Sequence, residues 1–386
     1  METNTLENMN IESIKVVSHL LWPKRKLRIH DNDFDCPYCD GKGKLNVNYD
    51  KNVFRCNKCG EHGSYLKLYS KITGNSFKKA QEDINLGWHN MSSDEKKMIC
   101  AIGEEEDEPP SGILSRDLFY TVCLNSCGLK DEHKADLLRR GLDEKAIADY
   151  KIKSFDEAVM TNCFNSVAKR VEGLPYISSV RIPGFYMDED GVMKCVSNEG
   201  YMIPVVNRKG LISCLQVRHF EGDVKEKKYT YLSSKYKNSG VGVSGCENIH
   251  YVGFDFLSEA TPRCVNLTEG CLKADVASFL SGRAFIAIMG VNNTSQLADE
   301  LRYLKEHGTE EINICLDMDY RDKPQVAKAL ANIKKIIERC GLEYNMIVWP
   351  EEYKGIDDYL LSKKKNANQE SKNDDSQNNN CNLPAE

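Results

Sequence analysis

CVNLTEGCLKADVASFL, residues 264–280, is a short apolar strand that ends in Glu269-Gly270 and runs straight into a helical pattern. The alternation then repeats. AFIAIMG (284–290) reads as a strand and SQLADELRYLKEHG (295–308) as a helix closed by Gly308. INICLDMD (312–319) is a third strand. PQVAKALANIKKIIERCG (324–341) is a helix with Pro324 at its start and Gly341 at its end, and EYNMIVW (343–349) is a fourth strand. Strands alternating with helices through short connections predict a parallel α/β sheet, with its ligand site beyond the carboxyl ends of the strands.

Those strand ends carry the acids. Glu269 closes the first strand, and Asp317 and Asp319 close the third. Side chains alternate along a strand with a period of two, so a D-x-D pair points both carboxylates to the same side. Three carboxylates crowded at one edge stay ionised only around a cation, and oxygen ligands favour Mg2+ or Mn2+. Such a site suits phosphoryl transfer. Asp357 and Asp358, in KGIDDYLL after the fourth strand, either extend this cluster or start a helix. Lys273, one turn beyond Glu269, either meets a phosphate or pairs with a carboxylate. Asn292 and Asn293 fall on the same rim. The catalytic reading therefore requires Glu269, Asp317 and Asp319 to converge on one divalent ion.

Upstream, YMIPVVN (201–207), LISCLQVRHF (211–220) and KYTYLSS (228–234) are β-rich, and residues 113–155 are helical in pattern. The run Glu104-Glu105-Glu106-Asp107-Glu108 and the Pro109-Pro110-Ser111-Gly112 that follows read as a linker. The polar stretch from 363 to 386 reads as a disordered tail.

Nearer the start, CPYCDGKGKLNVNYDKNVFRCNKCG (36–60) sets Cys36, Cys39, Cys56 and Cys59 in a C-x2-C-x16-C-x2-C arrangement. Two tight thiolate turns joined by a hairpin predict a closed four-thiolate Zn2+ site. His62 is read as a surface histidine. Residues 22–80 hold thirteen Lys and Arg against six Asp and Glu. These cations are interleaved with Trp22, Phe34, Tyr38, Tyr49 and Phe54, a composition that suits single-stranded nucleic acid. The same rings are also the natural core of so small a ribbon.

At 386 residues, with 41% hydrophobic residues, the chain is long enough for two or three domains, and its net charge of −6 argues against coating nucleic acid through bulk charge. No apolar run reaches the ~20 residues that span a bilayer, and the N-terminus lacks a basic start followed by a hydrophobic stretch, so a cytoplasmic, membrane-free protein is expected. Sixteen cysteines fit one metal site plus reduced thiols better than a disulfide scaffold. GVGVSG (240–245) matches a dinucleotide-binding pattern, but no helix follows it, and there is no Walker-type loop.

With these motifs in hand, the chain resembles the bacterial DnaG-type DNA primases, in the short form of phages and mobile elements, over roughly residues 10–362. The cysteine segment with CNKCGEHG resembles the primase zinc-binding domain, with Cys39 where the family commonly has His. VNLTEGCLKADVASFL, INICLDMDYR and KGIDDYLL resemble a Toprim domain, with Met318 where the family usually has Gly. The resemblance implies an α+β multidomain chain: a zinc-ribbon DNA-binding domain over 1–103, the acidic linker 104–112, and a helical then β-rich subdomain of the primase core over 113–252. A Toprim-like parallel α/β sheet over 253–362 follows, and then the tail 363–386. It also implies that Glu269, Asp317, Asp319 and Lys273 are catalytic, with Glu269, Asp317, Asp319 and Asp358 holding magnesium. Arg218, Lys228, Lys235 and Asn292 would contact template or nucleotide. The implied activity is synthesis of short RNA primers from ribonucleoside triphosphates on single-stranded DNA, alongside a separate replicative helicase. A Toprim-type nuclease and a non-catalytic zinc module of replication are the alternatives.

Overall fold

The computed structural model describes residues 13–23, 31–49, 51–101, 109–174, 177–219, 228–290, 294–317 and 324–366. The chain divides into two units, residues 1–107 and 108–386.

In the first unit, helix α1 (Ile14–Leu21) precedes four short strands, β1 (Asp31–Phe34), β2 (Leu45–Asn48), β3 (Val53–Cys56) and β4 (His62–Ser64). They form one antiparallel sheet in sequence order. Alternation along β2 and β3 turns Leu45, Val47, Phe54 and Cys56 inward, where they pack with Ile14, Phe34, Tyr49 and Leu68. Helices α2 (Tyr65–Thr73), α3 (Phe77–Asn90) and α4 (Ser93–Ala101) follow. Val16, Val17, Ile84, Trp88 and Ile99 make a second small core among the helices. Neither core is large, and a ribbon of this size needs a staple such as a metal to stand alone.

The second unit begins with α5 (Ile113–Ser126), α6 (Asp131–Arg139) and α7 (Glu144–Asp149), then strand β5 (Lys153–Ser154) and helix α8 (Glu157–Val171). A hairpin, β6 (Phe185–Met187) with β7 (Met193–Cys195), leads to β8 (Tyr201–Val206), β9 (Ile212–Arg218) and β10 (Tyr229–Tyr231). The order β10-β9-β8-β5 makes an antiparallel sheet, against which α5 packs, while α8 packs on α5 and on the hairpin, with Phe164 between Phe119 and Phe185. Helix α8 is an addition to the helical 113–155 region expected from the sequence. Asp156 caps it through the Val159 N–H at 3.0 Å, and Met160, Phe164, Val167 and Val171 recur on its buried face.

The remaining elements are β11 (Ile249–Val252), β12 (Cys264–Glu269), α9 (Cys271–Ser281), β13 (Phe285–Ile288), α10 (Leu297–Glu306), β14 (Glu311–Ile314), α11 (Pro324–Arg339) and β15 (Glu343–Met346). A last helix, α12, covers residues 356–366. The sheet order is β11-β13-β12-β14-β15. Strands β13, β12, β14 and β15 run parallel, as the alternating pattern predicts. Strand β11 joins the edge antiparallel to β13, so this sheet takes in Ile249–Val252 as well. One face packs Leu267, Ile286 and Ile314 against Leu301 and Leu304 of α10 and Ile333 and Ile337 of α11. The other packs Phe285 and Ala287 against Ala274 and Ala277 of α9 and Ile356 of α12. With both faces covered, β12, β13 and β14 are buried along almost their whole length, whereas the edge strand β15 is partly exposed.

Among the described residues no helix is long and apolar enough to cross a membrane.

Candidate metal centre and candidate active site

The four cysteines meet. Cys36 and Cys39 follow β1, Cys56 ends β3 and Cys59 lies in the turn before β4. Their sulfurs all lie within 4.8 Å of one another. Cys36 and Cys59 Sγ are 3.8 Å apart, as are Cys39 and Cys56 Sγ. A tetrahedron with metal–sulfur bonds of ~2.3 Å has edges of about 3.8 Å, so the donor set fits Zn2+. Burial pushes the Cys36 thiol up to about 12. Burial acts the same way on Cys56, but the backbone N–H groups of Cys59 and Lys58, 3.4 and 3.3 Å from its sulfur, draw it down to about 7. His62 stays exposed, with Nδ1 3.2 Å from the Gly60 carbonyl oxygen, and is no part of the cluster.

The aromatic residues of this unit are a correction to the stacking expectation. Phe34, Tyr49 and Phe54 are buried in the ribbon core. Trp22 stacks on Phe34 at 3.7 Å between centroids, and Tyr38 on Phe54 at 5.9 Å. Tyr38 keeps a half-exposed face, with the Lys71 and Lys67 ammonium groups 5.3 and 5.9 Å from its ring centre. The ribbon has few other large apolar side chains, and core packing takes the rings first. Lys24, Arg25, Lys26 and Arg28 lie outside the described residues.

In the second unit, a cavity of about 630 Å³ opens at the carboxyl edge of the parallel sheet. Glu269 reaches it from the end of β12. The following Gly270 has φ 82°, a left-handed conformation that starts α9 directly and that a side chain would strain. Asp317 reaches it three residues beyond β14, whose end is tied to β12 by the Cys315 N–H donating to Leu267 O at 2.8 Å. The Thr268 hydroxyl donates to Cys315 O at 2.9 Å and adds to the tie. Lys273 comes up from the first turn of α9. Its ammonium pairs with Asp317 and stands 3.7 Å from Glu269 Oε1. Burial would lower Lys273, yet Asp317, Glu269 and Asp357 together hold it above its ordinary value.

The loop before α12 completes the floor. Gly355 has no side chain where a Cβ would sit 3.1 Å from Lys273 Cε and 3.4 Å from Asp317 Oδ1. That lets Asp357 approach. Asp357 is buried and pushed up chiefly by that burial, whereas Asp358 is exposed on the rim of the same cavity. Period-two reasoning does not apply at a helix start, where neighbours diverge by about 100°. Of the pair, it is Asp357 that faces the other acids.

The opposite wall is cationic. Arg139, Arg140, Arg218 and Lys228 line it, with Lys354 from the loop. Three of these guanidinium groups gather on one buried carboxylate. Arg139 pairs with Asp136, Arg140 Nε donates to Asp136 Oδ2 at 3.0 Å, and Arg218 Nε lies 3.4 Å from the same oxygen. The Tyr201 hydroxyl donates to it at 2.9 Å. Burial alone would raise Asp136, but Arg140, Tyr201 and Arg218 hold it below the ordinary carboxylate range. Arg218 also donates to the Tyr229 hydroxyl at 2.9 Å. Three guanidinium groups against one carboxylate leave the wall net positive, facing the acidic floor.

Of the residues singled out from sequence, Glu269, Lys273, Asp317, Asp358, Arg218 and Lys228 all border this cavity. Lys235 does not: it packs along Gly242 in the stretch after β10, because the chain turns away from the sheet there. Asp319 and Asn292 lie outside the described residues. Sequence reasoning passed over Asp136, Arg139 and Arg140. Their D-x-x-R-R spacing on α6 was a local signal, since residues three and four apart share a helix face.

A family model described as a domain of unknown function (DUF3854) matches residues 256–367. None of the curated proteins matches the chain. Among solved structures, the chain is similar to the zinc-binding and RNA polymerase domains of the Aquifex aeolicus primase, at 17% identity and a TM-score of 0.46, covering 93% of this chain and 81% of that one. It is also similar to the E. coli primase catalytic core, at 16% identity and a TM-score of 0.45, covering 65% and 75%. A third is the RNA polymerase domain of the Mycobacterium tuberculosis DnaG primase in complex with double-stranded DNA, at 15% identity and 0.46, covering 65% and 78%.

Proposed function

We propose that this chain is a primase-type nucleotidyltransferase, which joins ribonucleoside triphosphates into short RNA primers on single-stranded DNA during replication of a phage or mobile element. The observation that carries this reading is the two-sided cavity. Carboxylates from the end of β12, the segment after β14 and the start of α12 share one cavity with guanidinium groups from the C-terminal end of α6 and from β9. A metal–triphosphate complex has that polarity, a cation on one side and phosphate charge on the other.

Glu269, Asp317 and Asp357 offer oxygens to Mg2+ or Mn2+, and Asp319 and Asp358 are further candidate ligands. A divalent metal bound there neutralises charge developing at the α-phosphate and favours attack by a 3′-hydroxyl. The chain's own groups do the rest. Arg140 and Arg218, held by Asp136, orient the phosphates. Lys228 and Lys354 add charge at the mouth, and the rigid strand ends fix the acids. No protein nucleophile is needed. The cysteine ribbon, with Zn2+ closing it, holds template.

Zinc-loaded protein given Mn2+ or Mg2+, ribonucleotides and single-stranded DNA is expected to make short labelled RNA. Asp317→Ala and Glu269→Ala are expected to reduce synthesis at least ~10²-fold with unfolding temperatures close to that of the parent. RNA made equally well by both variants sinks the site assignment. Template cleavage without added nucleotides, lost in the same variants, replaces the polymerase with a nuclease.

A further inference from the structure

We propose that Lys273 is a resident counter-ion. In the nucleotide-free protein its ammonium takes the place among the carboxylates that a divalent metal takes, and it moves onto phosphate when a metal–nucleotide complex enters. The inference rests on reading the cavity as a metal–triphosphate site.

Its basis is where the ammonium lies. A lysine four residues after a glutamate on an exposed helix pairs with that glutamate and otherwise faces water. Here the side chain is 17% exposed, and its closer partner is Asp317, on a different strand end and 44 residues away. One monovalent group thus bridges the ends of β12 and β14, the position a metal shared by both acids must occupy. Metal and ammonium cannot hold it together.

An independent observation says the neutralisation is incomplete. Asp357 is 9% exposed, lines the same cavity, and its Oδ1 has no hydrogen-bond partner among the described residues. The ammonium is thus taken up by Asp317 and Glu269, and the Asp357 oxygen is buried rather than hydrated. A buried carboxylate oxygen without a partner is costly, and a cation of higher charge removes that cost. Lys273 can leave, because its four-carbon stem is flexible and Gly355 puts no side chain against Cε, where a Cβ would sit 3.1 Å away. Arg140, Arg218 and Lys228 line the same cavity, so on this reading an ammonium displaced from the acids stays beside the groups that would take phosphate.

The test measures Mn2+ binding to the zinc-loaded full chain by electron paramagnetic resonance, without nucleotide. It then measures binding of a non-hydrolysable α,β-methylene ribonucleoside triphosphate in the presence of Mg2+. Lys273→Met is expected to bind Mn2+ about tenfold tighter than the parent and the nucleotide about tenfold more weakly, shifts in opposite directions that a merely structural lysine does not produce. Lys273→Gln serves as a second variant of similar length. Unchanged or weaker Mn2+ binding in these variants, with binding lost in Asp317→Asn, overturns the counter-ion and leaves the metal site standing. Parent-like Mn2+ binding by Asp317→Asn removes the metal site itself. Failure of both Lys273 variants to fold assigns the residue to structure and also overturns the proposal.

Discussion

Guanidinium groups crowded at one cavity repel one another, and Asp136 is the group that offsets this on the cationic wall. It sits 8% exposed between Arg139, Arg140 and Arg218 and accepts a fourth contact from Tyr201. Arg139 is mostly in solvent and adds little, so the stabilisation comes from the half-buried partners. Asp136→Asn is expected to destabilise the second unit by about 2–4 kcal/mol, read by urea unfolding at pH 7. The sign of the pH dependence follows from a depressed carboxylate. Its contribution is full above the unfolded value of about 3.9 and is lost as pH falls through the lower folded value. The gap between parent and variant is therefore expected to narrow as pH falls below about 4, and a gap that does not narrow at all on acidification contradicts the ion-pair account. At the floor, Gly270→Ala imposes a side chain at φ 82° and is expected to cost about 1–3 kcal/mol, measured as a lowered unfolding temperature.

Between elements, His250 is a buried polar link in the second unit. Its Nδ1 accepts the Val206 N–H at 3.0 Å, so the ring proton must sit on Nε2, which donates to Asp275 Oδ1 at 2.9 Å. One side chain thereby pins β8 of the antiparallel sheet and α9 of the parallel sheet to β11, holding together the elements that carry the two sheets' contributions to the cavity. His250→Leu leaves both a buried N–H and a buried carboxylate without partners. It is expected to destabilise by about 2–4 kcal/mol by chemical denaturation, more than His250→Gln, which keeps one bond. In the ribbon the corresponding link is the metal. Protons compete with it for the thiolates, so Zn2+ release, followed with a colorimetric chelator, is expected to rise steeply as pH falls below about 7, where the Cys56 thiol titrates in the metal-free fold. Release that does not vary between pH 8 and 5 argues against thiolate ligation.

Across the whole molecule the two units differ in what stabilises them. The first has two small apolar clusters and a four-thiol site, whereas the second has continuous cores on both faces of its parallel sheet. Calorimetry of the full chain is expected to show two transitions. A chelator should abolish the one belonging to residues 1–107 and leave the other within a degree or two, and a single transition that shifts as a whole contradicts this independence. The same contrast governs what could be read in advance. The alternation from residue 264 to 349 and the paired cysteines were legible because each depends on spacing within one or two elements, where backbone geometry converts sequence distance directly into direction in space. Helix α8 had that kind of signal too, in Asp156 and the recurrence of Met160, Phe164, Val167 and Val171, and so did Asp136 with Arg139 and Arg140. The edge strand β11 did not, because its pairing with β13 spans more than thirty residues of intervening chain. Nor did the meeting of Arg218 with Asp136, the choice of Asp357 over Asp358 as the inward acid, or the bridging position of Lys273. Sequence alone determined which chemistry is present and on which elements it stands. Only the packed sheets decided which groups share one cavity, because separations between side chains far apart in the chain are set by how the elements close on a common core and not by the residues between them.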